Sequence, residues 1–275
     1  STLRCAFHKY TYPAGAAASL LADLQRSNEH VRAWDIRKEG DNVFAGWQQT
    51  GEKMYFYAVA NRPVTGIEPV VEGDREVRIV RFGEGDGALE LRIGFSFVSE
   101  ENARKNLEAE MLGRSFADVR SEATAVWNDL LGRIRVEGGT EREKGLFYSC
   151  LYRSFLWPAL RSDVNGEYMG ADFRVHRSRS KQYTSFSNWD TYRTQIQLLS
   201  MLAPDVASDV VLSHQHFAEQ SGGAFPRWVM ANIETGIMQG DPTPILIANA
   251  WAFGAQDYDL SLIHISEPTR RSYIS

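Results

Sequence analysis

Residues 185–199, SFSNWDTYRTQIQLL, place a tryptophan, an acid and an arginine within one short stretch: Trp189, Asp190 and Arg193. A carboxylate accepts hydrogen bonds from sugar hydroxyls, a guanidinium donates to others, and an indole offers an apolar platform to the C–H face of a pyranose. That trio has the chemistry of a sugar grip. The same letters also serve a plainer purpose. Ser187 and Asp190 have the S-x-x-D spacing of a weak capping box, and an acid in the first turn of a helix is favoured by the helix dipole. Capping alone requires neither Trp189 beside the acid nor Arg193 one turn on.

Two further clusters follow. GGAFPRW (222–228) reads as a tight turn with Trp228 in the core and Arg227 at the surface. In NIETGIMQGDPTP (232–244), Asp241 and Pro242 have the letters of a helix N-cap and first helical residue. The histidines suggest no metal: His214 and His216 lie two apart in a helical stretch, too close to form an i, i+4 pair, so they are expected to be surface or packing residues. His8, His30 and His176 lie outside any ligand spacing. Cys5 and Cys150 have no redox or metal spacing and are expected to be two buried free thiols. Neither a nucleophile elbow nor a phosphate-binding glycine loop occurs.

The elements that must position these residues change period once. ALELRIGFSF alternates, with Leu89, Leu91, Ile93, Phe95 and Phe97 on one face and Glu90, Arg92, Gly94 and Ser96 on the other, as a half-buried strand should. KMYFYAVA and REVRIVRF read the same way, separated by NRPVTG and GEGDG. Residues 1–98 are therefore expected to form an antiparallel β-sandwich. Beyond them SFADVRSEATAVWNDLLGRI repeats Phe116, Val119, Ala123, Val126, Trp127, Leu130 and Ile134 at helical steps, with Ser115 as N-cap: a linker helix within 99–139. EREKGLFYSCLYRSFLWP carries two apolar stripes, through Phe147, Leu151 and Phe155 and through Tyr148, Tyr152 and Leu156, which predicts a helix buried between layers and stopped at Pro158. Further helices are expected at about 188–202, 205–219 and 242–253.

A net charge of −5 over 275 residues, with no basic block, argues against nucleic acid or an anionic membrane surface as partner. No run approaches the length of a membrane span, and the first residues lack a secretory pattern. LRCAFHKYTYP begins in mid-strand without an initiator methionine, so an upstream segment is expected. LSLIHISEPTR (260–270) resembles the in-frame translation of a transposase-type sequencing-library adapter, so 260–275 are expected not to be native sequence.

FYSCLYRSFLWP, SDVNGEYMGAD, YTSFSNWDTYRTQIQLLSMLAP, SGGAFPRWVMANIETGIMQGDPTP and AFGAQDYD come in the order and approximate spacing of glycoside hydrolase family 92. IGFSFVSEENARKNLEAE resembles that family's sandwich-to-linker passage, so the resemblance covers most of the chain. It implies an α+β multidomain protein in which the β-sandwich precedes part of an (α/α)6 toroid over 140–259. It also implies an exo-acting, inverting α-mannosidase that removes terminal α-linked mannose, with α-1,2 linkage preferred, from a mannose-containing glycan with the aid of Ca2+. Asp190 then contacts the terminal mannose, and Trp189 forms part of the subsite wall beside Arg193. Arg227 matches the family's GG-x-LPRW passage except that Phe225 replaces Leu, and it takes a pocket role; Glu234 and Asp241 move to the active-site rim. The family's acid, base and much of its metal shell lie in motifs resembling GNEPS and GDDDxGxMSAW, which this sequence lacks, so no residue here is assigned as acid or base. The resemblance also implies a bacterial, exported protein, in the periplasm, at the cell surface or outside. Two other readings stand beside it: a non-catalytic glycan-binding or structural protein, and another (α/α)6 enzyme such as a trehalase-like hydrolase or a disaccharide phosphorylase.

Overall fold

A computed structural model describes residues 1–13, 15–73, 75–85 and 87–261. Of residues 260–275, expected not to be native, those from 262 onward lie outside the described residues. The chain divides into two compact units, Ser1–Thr124 with Asp163–Asn165, and Ala125–Ser162 with the remainder from Gly166. The division falls inside a helix, between Thr124 and Ala125, and not at either edge of the expected 99–139 linker.

The first unit contains strands β1 (Cys5–Tyr10), β2 (Ser19–Ala22), β3 (Ala33–Lys38), β4 (Val43–Gln49), β5 (Lys53–Ala60), β6 (Val64–Glu72), β7 (Arg75–Phe82) and β8 (Leu89–Ser96). They form an antiparallel five-stranded sheet, β1-β8-β5-β4-β3, and an antiparallel three-stranded sheet, β2-β7-β6. One core lies between the sheets, where Phe44, Phe56, Ala58, Leu89 and Leu91 meet Val64, Val80 and Phe82. The strand period of two sends alternate residues to the opposite face of the larger sheet. There Cys5, Phe7, Tyr57 and Val59 pack with Leu107 and Met111 of helix α1 (Glu100–Met111) and Val119 of helix α2 (Phe116–Leu131).

Strand β8 is thus covered on both sides, not half-buried as its alternation suggested. Gly94 and Ser96, expected on the solvent face, are buried. The reason is close approach by α1: a methyl group on Gly94 would run into the Ala103 carbonyl and lie 2.9 Å from Leu107 Cβ. The buried face of α1 also carries two polar residues, Asn102 and Asn106. With Ser96 they donate three hydrogen bonds to the buried carboxylate of Asp163, at 2.7–2.8 Å. Burial pushes the Asp163 carboxyl upward, and the donors from Asn106, Ser96 and Asn102 oppose that shift.

Helix α2 begins as expected. Ser115 Oγ accepts from Asp118 N–H while Asp118 accepts from Ser115 N–H, a reciprocal capping box. Of its apolar stripe, however, only Val119 is buried, and Val126 is exposed. The second unit continues with helix α3 (Glu141–Ser154), capped by the Thr140–Glu143 box. This helix is not buried between layers: Leu151 is its one buried residue, and Leu146 and Tyr152 are exposed. Cys150 is exposed too, so only Cys5 meets the expectation of a buried thiol.

Short strands then follow: β9 (Ala159–Leu160), β10 (Glu167–Met169), β11 (Val175–Arg177) and β12 (Tyr183–Thr184). At two or three residues each they are too short to show a period. Helices α4 (Asn188–Thr191) and α5 (Gln195–Leu202) replace the single helix expected over 188–202, because residues 192–194 form a turn. Helix α6 (Pro204–Gln220), strands β13 (Val229–Met230) and β14 (Ile233–Glu234) and helix α7 (Thr243–Ala252) complete the unit. Its main core joins Ile196 and Leu199 of α5, Ala207, Val210 and Val211 of α6 and Leu246, Ile247 and Ala250 of α7. Among the described residues no helix is long and apolar enough to cross a membrane.

Overpacking a tight contact typically costs 1–3 kcal/mol. Gly94→Ala should therefore lower unfolding stability by roughly 2 kcal/mol in urea, whereas Gly145→Ala, which meets nothing within 4 Å and lies in an exposed helix, should be neutral or stabilising. Equal effects of the two changes would contradict the packing of α1 on β8.

Candidate functional site

The stretch that bears Trp189 and Asp190 is one isolated turn. Ser187 does not cap it: its hydroxyl bonds the Asp190 carboxylate at 2.5 Å, and no side-chain cap bond is made to the backbone. The capping account of the S-x-x-D spacing is therefore incomplete, since the two side chains engage each other. Trp189 is 43 % exposed, Asp190 is exposed, and Arg193 is exposed with its guanidinium 5.4 Å from the Tyr192 ring centroid. An indole, a carboxylate and a guanidinium are thus each exposed within this short stretch.

This turn is bound edge to edge with the GGAFPRW segment. Val229 N–H donates to Phe186 O at 2.8 Å, Trp189 N–H donates to Arg227 O at 3.3 Å, and Ser187 and Trp228 form an antiparallel bridge. Trp228 is half-buried. The Arg227 backbone therefore runs beside that of Trp189, on the segment that leads into strand β13. Glu234 is committed to holding that strand: its carboxylate accepts from the N–H groups of Arg227 (2.6 Å), Trp228 (3.1 Å) and Gly236 (3.0 Å), with Arg227 Nε 3.9 Å away. Asp241 is half-buried and is not the N-cap of α7; Pro242 occupies that position and the helix starts at Thr243, one residue later than its letters suggested.

The backbone around the site is strained. Ser185, just before Phe186, has φ 57°, and Ala231 and Asn232, which make the two-residue turn between β13 and β14, have φ 44° and 63°. Such left-handed conformations in residues with a side chain cost of order 1–3 kcal/mol each. Asn232 is buried and donates to Gly170 O at 2.6 Å, which helps hold the turn.

Beneath the exposed residues lies a buried polar network whose members the sequence did not single out as a group. Asn188 is fully buried. Its Nδ2 donates to Pro226 O (2.9 Å) and to Thr243 Oγ1 (2.8 Å), and Thr243 Oγ1 donates onward to Pro226 O (2.5 Å). His214 of α6 contacts Asn188 Oδ1 through Nε2 at 2.9 Å and Val210 O through Nδ1 at 2.6 Å, with its ring stacked on Phe186 at 3.9 Å between centroids. Nothing in the spacing of His214 marks this role. The residue belongs to the interior and not to the surface, and its ring is polar-bonded as well as packed.

Burial pulls the His214 imidazole down to about 4. His216, also partly desolvated, is lowered as well, and its Nδ1 meets Gln182 Oε1 at 2.9 Å. His176 bonds both oxygens of Asp172, at 2.9 and 3.1 Å. Two cavities lie away from the Trp189 turn: one of about 680 Å³ in the first unit, lined by Trp34, Arg75 and Arg78, and one of about 610 Å³ in the second, lined by Tyr168, His176 and His216. The Trp189 group instead lies at open surface; the first-unit cavity also combines an indole with acids and guanidinium groups, Trp34 with Asp35, Glu76, Arg75 and Arg78, and what singles out the Trp189 group is that it carries one of the motifs of the family 92 resemblance. Among the described residues no three His, Cys, Asp or Glu side chains converge to hold a metal ion.

His214 carries a pH signature. An unfolded chain binds a proton at this ring below about 6.5, and the folded chain does not until about 4. Stability should therefore be lost as pH falls through that window, by at most about 1.4 kcal/mol per pH unit. His214→Phe, which keeps a ring against Phe186, should be less stable at pH 7.5 and should lose less on going to pH 4.5. Parallel stability-pH curves for the two proteins would refute a neutral buried imidazole.

Comparison with known proteins follows the same order of elements. The model of the glycosyl hydrolase family 92 catalytic domain matches residues 102–266. An uncharacterized secreted glycosidase of Arthroderma benhamiae is 32% identical over 116 residues, which are 40% of this chain and 14% of that protein. A family GH92 alpha-mannosidase of Bacteroides thetaiotaomicron superposes with a TM-score of 0.89 at 22% identity, over 98% of this chain and 40% of that one. A family GH92 inverting mannosidase of Bacteroides thetaiotaomicron VPI-5482 superposes with a TM-score of 0.81 at 26% identity, over 94% of this chain and 37% of that one. The chain thus spans about two fifths of the length of these solved relatives. The likeness shows the fold to be an antiparallel β-sandwich followed by part of an (α/α)6 toroid. With the family model covering more than half of its residues, the chain belongs to glycosyl hydrolase family 92.

Proposed function

We propose that this chain carries the sugar-binding wall of an exo-acting α-mannosidase, a glycoside hydrolase that removes terminal α-linked mannose, with α-1,2 linkage preferred, from a mannose-containing glycan. The observation that supports the reading is the backbone pairing of segments 186–189 and 227–229, which brings the chain at Trp189 next to the chain at Arg227. In this reading Trp189 supports the C–H face of the pyranose, Asp190 accepts from its hydroxyls, and Arg193 and Arg227 donate to others. Glu234 acts mainly by holding the Arg227 strand, and Asp241 stands at the rim. Inversion would use an acid on the leaving oxygen and a base on water across the ring. None of these six residues is assigned either role.

Calcium comes to this reading from the family resemblance. Bound, it would supply oxygen coordination to sugar hydroxyls; among the described residues no three His, Cys, Asp or Glu side chains converge on one point. Export, to the periplasm, the cell surface or the medium, is part of the same proposal; a matched fungal relative is named a secreted glycosidase.

The test is Asp190→Asn with methyl α-D-mannopyranoside as ligand. Loss of one charge-assisted hydrogen bond, roughly 1.5–3 kcal/mol, should weaken binding about ten- to a hundredfold. Folding stability should shift by only a few tenths of a kcal/mol, because Asn tolerates a helix start as Asp does. Unchanged affinity in a folded variant would remove Asp190 from the sugar contact. Absence of mannoside binding in the unmodified chain, beside binding of another sugar, would favour a different carbohydrate-active role.

A further inference from the structure

The space between the two sheets of the first unit changes character along its length. On β7 the strand period of two puts Glu76 and Arg78 on the face that Val80 and Phe82 turn to the core, and on β3 it puts Trp34 on the face of the core residue Ile36. At this end the apolar filling gives way to an indole, a carboxylate and a guanidinium, which border the cavity of about 680 Å³. These groups are held in place. The Arg78 guanidinium lies 4.6 Å from the Trp34 ring centroid, and its Nη1 donates to Glu76 Oε1 at 2.6 Å. The loop between β2 and β3 that forms the facing wall is tied to both sheets: Gln48 Nε2 donates to Leu24 O (2.8 Å) and Arg26 O (3.1 Å), and Gln25 Oε1 accepts from Glu76 N–H (3.0 Å).

We propose that this cavity is a second glycan-binding site, in which Trp34, Glu76 and Arg78 take a neutral sugar, here a mannose unit of the glycan. Its acids, Glu29, Asp35 and Glu76, equal in number its guanidinium groups, Arg32, Arg75 and Arg78, so the cavity has no strong sign of charge to select an ion. A sugar hydroxyl both donates and accepts, and neighbouring hydroxyls match a carboxylate set beside a guanidinium. Among the described residues, Arg78 Nη2, the Trp34 indole N–H and the second oxygen of Glu76 have no hydrogen-bond partner, so donors and an acceptor remain for a ligand. Inward-pointing charges can also serve only to keep an edge strand such as β3 from pairing with another chain. That purpose calls for neither an indole nor a void, whereas a fixed polar set beside an aromatic in a cavity of roughly 300–1,000 Å³ is what small-ligand sites share. The choice of mannose rests on the α-mannosidase reading; the neutral class of ligand rests on the cavity.

The test is a titration of the chain with methyl α-D-mannopyranoside, read by NMR at two indole N–H groups, Trp34 in the first unit and Trp189 in the second. Both should shift, each along its own saturation curve. Glu76→Gln alters a side chain that is 45% exposed, and it should raise the dissociation constant read at Trp34 about tenfold while leaving that read at Trp189 unchanged. Inorganic phosphate should leave Trp34 unmoved. A Trp34 resonance silent to the mannoside, a Glu76→Gln curve equal to the wild type, or a phosphate response as large as the sugar's would overturn the site. The wild-type titration and the phosphate control stand even if the variant fails to fold. A response at Trp34 with none at Trp189 would support this site and remove the sugar-binding wall proposed above; a response at Trp189 alone would keep that wall and overturn this site.

Discussion

The buried amide of Asn188 is the contact on which the candidate site depends. An exposed hydrogen bond can be exchanged for water at little cost, but a buried donor or acceptor left unpaired loses about 1–3 kcal/mol. Asn188 has no exposed surface, so its orientation and its partners are enforced together. Because the partners lie on α6, on the segment before Arg227 and at the start of α7, satisfying one side chain aligns three parts of the unit. Low local polarity strengthens each link and makes partial satisfaction worse than none.

The first unit follows the same rule with a carboxylate in place of an amide. Asp163 is buried, and the three donors around it come from the end of β8 and from α1. Asn106 also donates to Phe95 O and accepts from Val164 N–H, so its own amide is fully used. The glycine at 94 makes this possible, since α1 can bring Asn102 and Asn106 to the sheet only where no side chain intervenes. In both units, then, a polar group without solvent sets the geometry, and the apolar clusters around it supply the bulk of the burial.

Much of this architecture was legible in the sequence wherever a period could run long enough to be read. Eight residues of β8 and sixteen of α2 show their alternation and their helical stripe plainly. Legibility failed where a second layer or a short element intervened. The alternation of β8 says that one face is apolar; it does not say that a helix covers the other. The stripe of α3 predicts burial, yet amphipathic pattern is only a demand for a partner, and Leu146 and Tyr152 have none deep enough to hide them. The turn at 192–194 cuts one expected helix into two because Thr194 and the residues before it leave the helical ladder, which no residue type there announces. In the candidate site the letters of Trp189, Asp190, Arg193 and Arg227 conveyed their chemistry, and the structure pairs the backbone of Trp189 with that of Arg227. Glu234 and Asp241 were harder: a carboxylate looks the same in sequence whether it faces a ligand or, as Glu234 does, gathers three backbone N–H groups. His214 and Asn188 left no local signal at all, since their relation spans residues far apart in the chain.

A surface proposed to meet a ligand cannot hide its own working groups, and the Trp189 turn shows the consequence. A four-residue helix has too few internal hydrogen bonds to hold itself, because nucleating a first turn costs more than one bond returns. The Trp189 turn therefore cannot derive its rigidity from its own helix. It is held from the side by the Arg227 strand and from beneath by Asn188, while the strained backbone at Ser185, Ala231 and Asn232 records how firmly the surroundings dictate its path. Exposed chemistry resting on buried polar support is the arrangement expected where orientation matters more than local stability, since a contact group free to wander would spend its binding energy on being ordered.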